Sequence, residues 1–353
     1  DGRLDILVGG NMAYNQGIVY VIFGKGVFTE PSDVQLSSFV SGEAGFKIYN
    51  GEIDGSLGYS LAGGDDFNDD GYDDVVVGQP LANSNTGAVH VVFGHSNATQ
   101  FVDVDLSITS SGLSRFAIIG PTVGGRLGLS VSFAGDYNGD GKSDIVIGSG
   151  QDTAFVILGR VEIDTYPDID LASFAPGPFN GFQIKGPVNV EAQLGISVAG
   201  AGDVNGDGKA DIIIGAPFSD PVVGSTTRTD AGVAYVLFGT SIIPSLSVTL
   251  IASQASSAGF KIIGSAANVN SGNSVAGAGD INGDGVHDMI IGAYTADTTT
   301  LLANSGISYV IFGRKVGGSV PAFGDISLAS VNTGSVNGFP IYGAGAGDFS
   351  GYR

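Results

Sequence analysis

The chain has 353 residues, of which 59 are Gly and 12 Pro, yet 43% are apolar, enough to build a core and too many for a disordered linker. Thirty-five acidic against 14 basic residues leave a formal net charge of −21, which disfavours nucleic acid and anionic membrane surfaces and favours cations as partners. There is no Cys, hence no disulfide or thiolate chemistry, and no apolar run approaches the roughly 18 residues of a membrane-spanning helix.

The chain opens on Asp5-Ile6-Leu7-Val8-Gly9, a short apolar burst that returns at 74–78, 144–148, 211–215 and 288–292. A second burst ends in Phe23-Gly24, Phe93-Gly94, Leu158-Gly159, Phe238-Gly239 and Phe312-Gly313. A third, close to Gly-Phe-x-Ile-x-Gly, covers 45–51, 115–120, 181–186, 259–264 and 338–343. Related small-residue stretches start at Leu57, Leu127, Leu194 and Ser271 and lead into the first burst of the later units. The bursts are rich in Val, Ile and Phe and bounded by Gly, Asn, Asp and Ser, so they predict strands. No stretch has helical periodicity beyond a turn at 170–174 and its relatives.

The Asp that opens the first burst recurs at 5, 74, 144, 211 and 288, spacings of 69, 70, 67 and 77. Four strands per roughly 70 residues, repeated radially, predict an all-β fold: a β-propeller of four-stranded antiparallel blades. A linear β-solenoid is the alternative, although its repeats are shorter. The expected units are 1–58, 59–128, 129–195, 196–272 and 273–353, one propeller region over 1–353. Unit one lacks its inner strand, and 350–353 align with 271–274 at the threshold of another. The expectation is a slice of a longer chain, with a five-unit ring completed by a neighbour's strand as the alternative.

Four loops read Asp-x-Asn-x-Asp-Gly-x-x-Asp: Asp66, Asn68, Asp70 and Asp74; Asp136, Asn138, Asp140 and Asp144; Asp203, Asn205, Asp207 and Asp211; Asp280, Asn282, Asp284 and Asp288. Alternate residues turn oxygens toward one point, and the Gly permits a sharp bend. Position seven offers a backbone carbonyl, from Tyr72, Lys142, Lys209 and Val286. Position nine closes the cage, where the EF-hand would use a Glu at position twelve. Oxygen donors without His or Cys favour Ca²⁺ over zinc or copper, and Mg²⁺ fits less well. About four Ca²⁺ sites are expected, with Asp1, Arg3 and Asp5 as the remnant of an incomplete fifth. Tight turns alone would also use Asn, Asp and Gly, but four copies with clustered carboxylates argue against that reading.

This pattern resembles the FG-GAP repeat, the blade of the integrin α-subunit head and of many bacterial exoproteins, over essentially the whole chain. Phe238-Gly239 carries the "FG" and Gly215-Ala216-Pro217 the "GAP"; Gly78-Gln79-Pro80, Gly148-Ser149-Gly150 and Gly292-Ala293-Tyr294 are looser. The resemblance implies that the strand before each acidic loop lines the channel, and that ligands bind at the face opposite those loops. On that face the connections after the second strand vary, and Asp220, Arg228, Asp230 and Tyr294 are the candidate ligand residues, with tolerated insertion as the competing explanation.

His90 reads as a strand histidine bonded locally, His95 as solvated and His287 as a non-ligand within its loop. Asp69 and Asp73 only add charge, and Asn97-Ala98-Thr99 is a weak glycosylation sequon. No catalytic constellation is identifiable. The expected function is a secreted or cell-surface, calcium-stabilised binding or adhesion module for an extracellular protein or glycan, without nucleic-acid partners or membrane insertion. The alternatives are a self-assembling fibre or sheath of neighbouring copies, and a polysaccharide-acting enzyme.

Overall fold

The computed structural model describes residues 3–12, 17–24, 34–42, 44–50, 55–95, 102–107, 115–161, 166–177, 180–187, 191–243, 248–249, 257–297, 302–317, 323–331 and 338–353. It is all-β, and successive strands pair antiparallel in the order of the chain. Unit two shows the pattern: Ser60–Asp65, Asp74–Gln79, Ala88–Val92 and Arg115–Ile119 form one meander. Ser130–Gly135, Asp144–Gly148, Thr153–Ile157 and Gly181–Lys185 repeat it. So do Val198–Gly202, Asp211–Ala216, Val233–Leu237 and Gly259–Ile263. The last meander is Ser271–Gly279, Asp288–Ala293, Ile307–Ile311 and Gly338–Tyr342. The first sheet begins directly with Ile6–Gly10, followed by Ile18–Ile22 and Gly45–Tyr49.

The second strands are solid apolar bursts because both their faces are covered. Every residue of Asp211–Ala216 and of Asp144–Gly148 is buried, so neither shows the alternation of a half-exposed strand. Each fully buried Ile contributes on the order of 1.5–3 kcal/mol.

Among the described residues, four of the five meander sheets carry a strand that the sequence does not announce. Val104–Asp105 pairs in parallel with Gly45–Tyr49, and Ile169–Asp170 with Arg115–Ile119. Val248–Thr249 pairs likewise with Gly181–Lys185, and Ile326–Ser327 with Gly259–Ile263. Two residues are too few to show a period. In three of these sheets an Asp just before the short strand anchors it: Asp103, Asp168 and Asp325 accept the backbone N–H of Lys47, Ala117 and Lys261 at 2.9, 2.7 and 3.0 Å. The expected helical turn follows as a 3-10 turn at Leu171–Ser173, where Asp170 accepts the Ala172 N–H, with relatives at Leu36–Ser38 and Leu328–Ser330.

The chain divides into two compact units, 1–129 with 161–174, and 130–160 with 175–353. The first is packed around Val19, Val21, Ile48, Leu57 and Val77. The second has two apolar clusters, one holding Val146, Phe182, Ile212 and Ile214, the other Ile213, Phe260, Met289 and Ile291. Within the second unit, Gly215 is the penultimate residue of its strand, where the next repeat crosses: a Cβ there would lie 1.9 Å from the Gly272 carbonyl oxygen. Gly148 meets Gly195 in the same way. Among the described residues no helix is long and apolar enough to cross a membrane.

Candidate metal centres

The four acidic loops join the first strand of each complete meander to its second, and their internal bonding is nearly the same four times over. In 203–211 the Asp203 carboxylate accepts the backbone N–H groups of Asp207 at 3.1 Å and Gly208 at 2.8 Å. Asp207 accepts the Lys209 N–H at 3.0 Å and the Asn205 side-chain amide at 3.1 Å. Equivalent bonds hold 66–74, 136–144 and 280–288. The sixth-position glycines have φ of 83 to 90°, a left-handed bend that any Cβ would strain.

The ninth position does something that spacing did not reveal. Asp74, Asp144, Asp211 and Asp288 are at most 1% exposed. One carboxylate oxygen of each accepts the N–H of the loop's second residue, from Phe67, Tyr137, Val204 and Ile281. The other accepts the N–H of the Phe-Gly or Leu-Gly glycine, from Gly94, Gly159, Gly239 and Gly313, at 2.8 to 2.9 Å. The glycine is needed there: at Gly239 a Cβ would lie 2.5 Å from the Ala210 carbonyl oxygen. Burial pushes the carboxyls of Asp74, Asp144 and Asp211 up to about 7 against the pull of these N–H bonds, and neighbouring aspartates add to the rise.

Asp5 makes the same bond to Gly24 at 2.8 Å, which identifies it as the ninth position of the incomplete loop. Arg3 stands where the seventh residue does, its Cβ beside Gly24, and Asp1 lies outside the described residues. The donor set of the four complete loops, carboxylate and amide oxygens with a backbone carbonyl at Tyr72, Lys142, Lys209 or Val286, fits a hard cation. Among the described residues, no three His, Cys, Asp or Glu side chains stand grouped as a metal-holding cluster; the first and fifth aspartates are turned onto loop N–H groups.

At the other ends of the second strands, the candidate ligand residues are engaged by the protein itself. Arg228 donates to the Gly264 carbonyl at 2.7 Å and the Ser327 hydroxyl at 3.3 Å. Asp220 accepts the Asp230 N–H at 2.7 Å, and Asp230 accepts the Asn270 N–H through its carbonyl. Tyr294 packs edge-on against Tyr352 at 5.2 Å and lies 6.1 Å from Phe349, and burial raises its phenol. The connection between 216 and 233 is therefore an ordered platform, with its own hairpin of Val222–Val223 and Thr226–Thr227.

His90 is buried and its Nε2 lies 2.9 Å from Gln79 Oε1, the local bonding expected of it. His287 accepts the Asp203 N–H through Nδ1 at 3.2 Å. His95 is exposed at the edge of a cavity of about 510 Å³ walled by Val21, Phe23, Phe46 and Phe93. The sequon 97–99 lies outside the described residues.

Comparison with known proteins matches the FG-GAP repeat family at residues 57–92, 127–161, 194–237 and 271–311, the four units that carry complete loops. The chain is 30% identical to integrin alpha pat-2 of Caenorhabditis elegans over 274 residues, covering 74% of this chain and 19% of that protein. It is 29% identical to integrin alpha-4 of Xenopus laevis (70% of this chain, 20% of that protein) and 29% identical to integrin alpha-V of Gallus gallus (70% and 21%). The chain thus spans about a fifth of the length of these relatives.

Proposed function

We propose, for a chain that is an FG-GAP repeat propeller of the integrin α type, that it is an extracellular binding module whose blades are stabilised by Ca²⁺. The observation that carries the reading is the fourfold acidic loop with its common hydrogen-bond scheme on a scaffold of closely similar sheets. Asp203, Asn205, Asp207 and the Lys209 carbonyl, with Asp211 behind them, would hold the cation in one loop, and the equivalent residues in the other three. A bound divalent cation supplies the positive charge that clustered carboxylates lack.

The partner is an extracellular protein or a glycan, bound at the face opposite the acidic loops. The relatives' name, integrin alpha, supports an adhesive role, and the ordered platform at 216–233 supplies a rigid surface of the kind on which binding residues sit. The module is read as non-catalytic, at the cell surface or secreted.

Two measurements test this. Isothermal titration with Ca²⁺ on chelated protein is expected to show about four sites; absence of binding heat and of any thermal shift defeats the calcium reading. Arrays of matrix proteins and glycans, followed by a reducing-sugar assay, are expected to show capture without turnover. Turnover would make the protein an enzyme.

A further inference from the structure

The three loops of the second compact unit are not separate. The backbone N–H of Ala210, position eight of loop 203–211, donates to the carbonyl of Asp136, position one of loop 136–144, at 3.0 Å. The N–H of His287, position eight of loop 280–288, donates to the carbonyl of Asp203, position one of loop 203–211, also at 3.0 Å. Each of these N–H groups shares a peptide unit with a position-seven carbonyl, that of Lys209 or Val286. One planar amide can therefore serve two loops: its oxygen is the backbone donor that the calcium reading gives its own loop, and its N–H holds the first aspartate of the loop before.

Further contacts run along the same line. Thr240 donates to the Tyr137 carbonyl at 2.9 Å, Arg314 to that of Val204 at 3.0 Å, and Val316 to that of Asn205 at 2.8 Å. His287 Nδ1 accepts the Asp203 N–H, so the Asp203 residue is gripped by His287 through both its backbone groups. The Lys209 side chain lies against Gly139, and Lys315 against Gly206, each over the fourth position of a neighbouring loop.

We propose that loops 136–144, 203–211 and 280–288 bind cations cooperatively, coupled through the Lys209–Ala210 and Val286–His287 peptide units. The inference rests on the calcium reading above. An amide whose oxygen is drawn to a cation becomes a stronger N–H donor, since hydrogen-bonded chains polarise one another. Ala210 then holds Asp136, and His287 holds Asp203, more firmly in the conformation their loops need. Coupling of binding is reciprocal, so filling the earlier loop favours the later one equally. Direct repulsion between cations acts with the opposite sign and is damped at physiological salt, where the screening length is about 8 Å.

The sign gives the test. The chain has no Trp, and the Tyr137 phenol lies near both Asp144 and Asp211, so it can sensitise Tb³⁺ luminescence in loops 136–144 and 203–211. Tyr72 in loop 66–74 is removed as a competing sensitiser by Tyr72→Phe. In that background Asp284→Asn disables loop 280–288, whose His287 holds Asp203, and equal melting temperatures in EGTA confirm that the fold is retained. The Tyr137-sensitised Tb³⁺ midpoint at 0.15 M salt is expected to rise by about fivefold or more, the lower range of allosteric couplings. A midpoint unchanged or lowered overturns the coupling and leaves calcium binding intact. Should Asp284→Asn unfold the protein, the Ca²⁺ isotherm of the unaltered chain decides: a curve steeper than independent sites supports coupling, and an independent-site curve overturns it. No Tb³⁺ signal and no Ca²⁺ heat would instead defeat the calcium reading beneath it.

Discussion

The buried carboxylate of Asp211 accepts the N–H of Gly239 at 2.8 Å across 28 residues of chain, and the N–H of Val204 at 2.8 Å within its own loop. One side chain thus joins the acidic loop to the Phe-Gly turn. In Asp211→Asn one oxygen becomes an NH₂ group that cannot accept, and a buried N–H is left unpaired. The expected loss is about 1–3 kcal/mol. Urea unfolding in EGTA separates this from any effect on cation affinity; an unchanged midpoint would show that the bonds contribute nothing net.

Gly215→Ala is expected to cost as much or more. Its Cβ would sit 1.9 Å from the Gly272 carbonyl oxygen, a backbone atom that cannot swing aside. Overpacking of this kind costs about 1–3 kcal/mol or more. Gly224→Ala is the control, since nothing lies within 4 Å of its Cβ, although its φ of 65° carries some strain. If both variants melt together, the close approach of Gly215 to Gly272 has no energetic weight.

Chelation is expected to lower the melting temperature. A site filled at a hundredfold excess over its dissociation constant adds about 2.7 kcal/mol to the folded state, and the sites act together. Melts in EGTA and in millimolar Ca²⁺ give the comparison, with Mg²⁺ expected to restore less. Identical melts would mean that the loops are turns and nothing more.

His90 predicts an acid sensitivity. Burial, with Arg115 nearby, lowers its imidazole from 6.5 to about 4, so the folded chain resists a proton that the unfolded chain accepts. The stability this group confers is complete above 6.5 and is lost as pH falls toward 4, by up to about 3 kcal/mol. In His90→Gln the fall of melting temperature between pH 6.5 and 4 is expected to be shallower than in the parent. Parallel curves would remove His90 as the cause.

The repeat, the strands and the loops were legible in the sequence because each is written locally. An apolar burst of four or five residues between Gly and Asp has only one economical conformation when both faces are covered. Asp-x-Asn-x-Asp-Gly brings its oxygens together within nine residues through covalent spacing and one left-handed Gly. The parallel strand Ile169–Asp170 left no such trace: two residues carry no period, and its partner Ile118 lies far back in the chain. Arg228 looked available on a variable loop, but it is bonded to Gly264 and Ser327, 36 and 99 residues away.

The amino-acid order alone settles the number of complete acidic loops, the donor chemistry in each and the identity of the strands, since those depend on neighbours within a few residues. Folding settles what the repeated letters are for. Asp211 must reach Gly239, Ala210 must reach Asp136, and Gly215 must let Gly272 pass, and each of these contacts exists only after remote segments have been packed side by side. A backbone N–H or carbonyl looks the same in every residue of the sequence, so the partner it will find is decided by proximity in space.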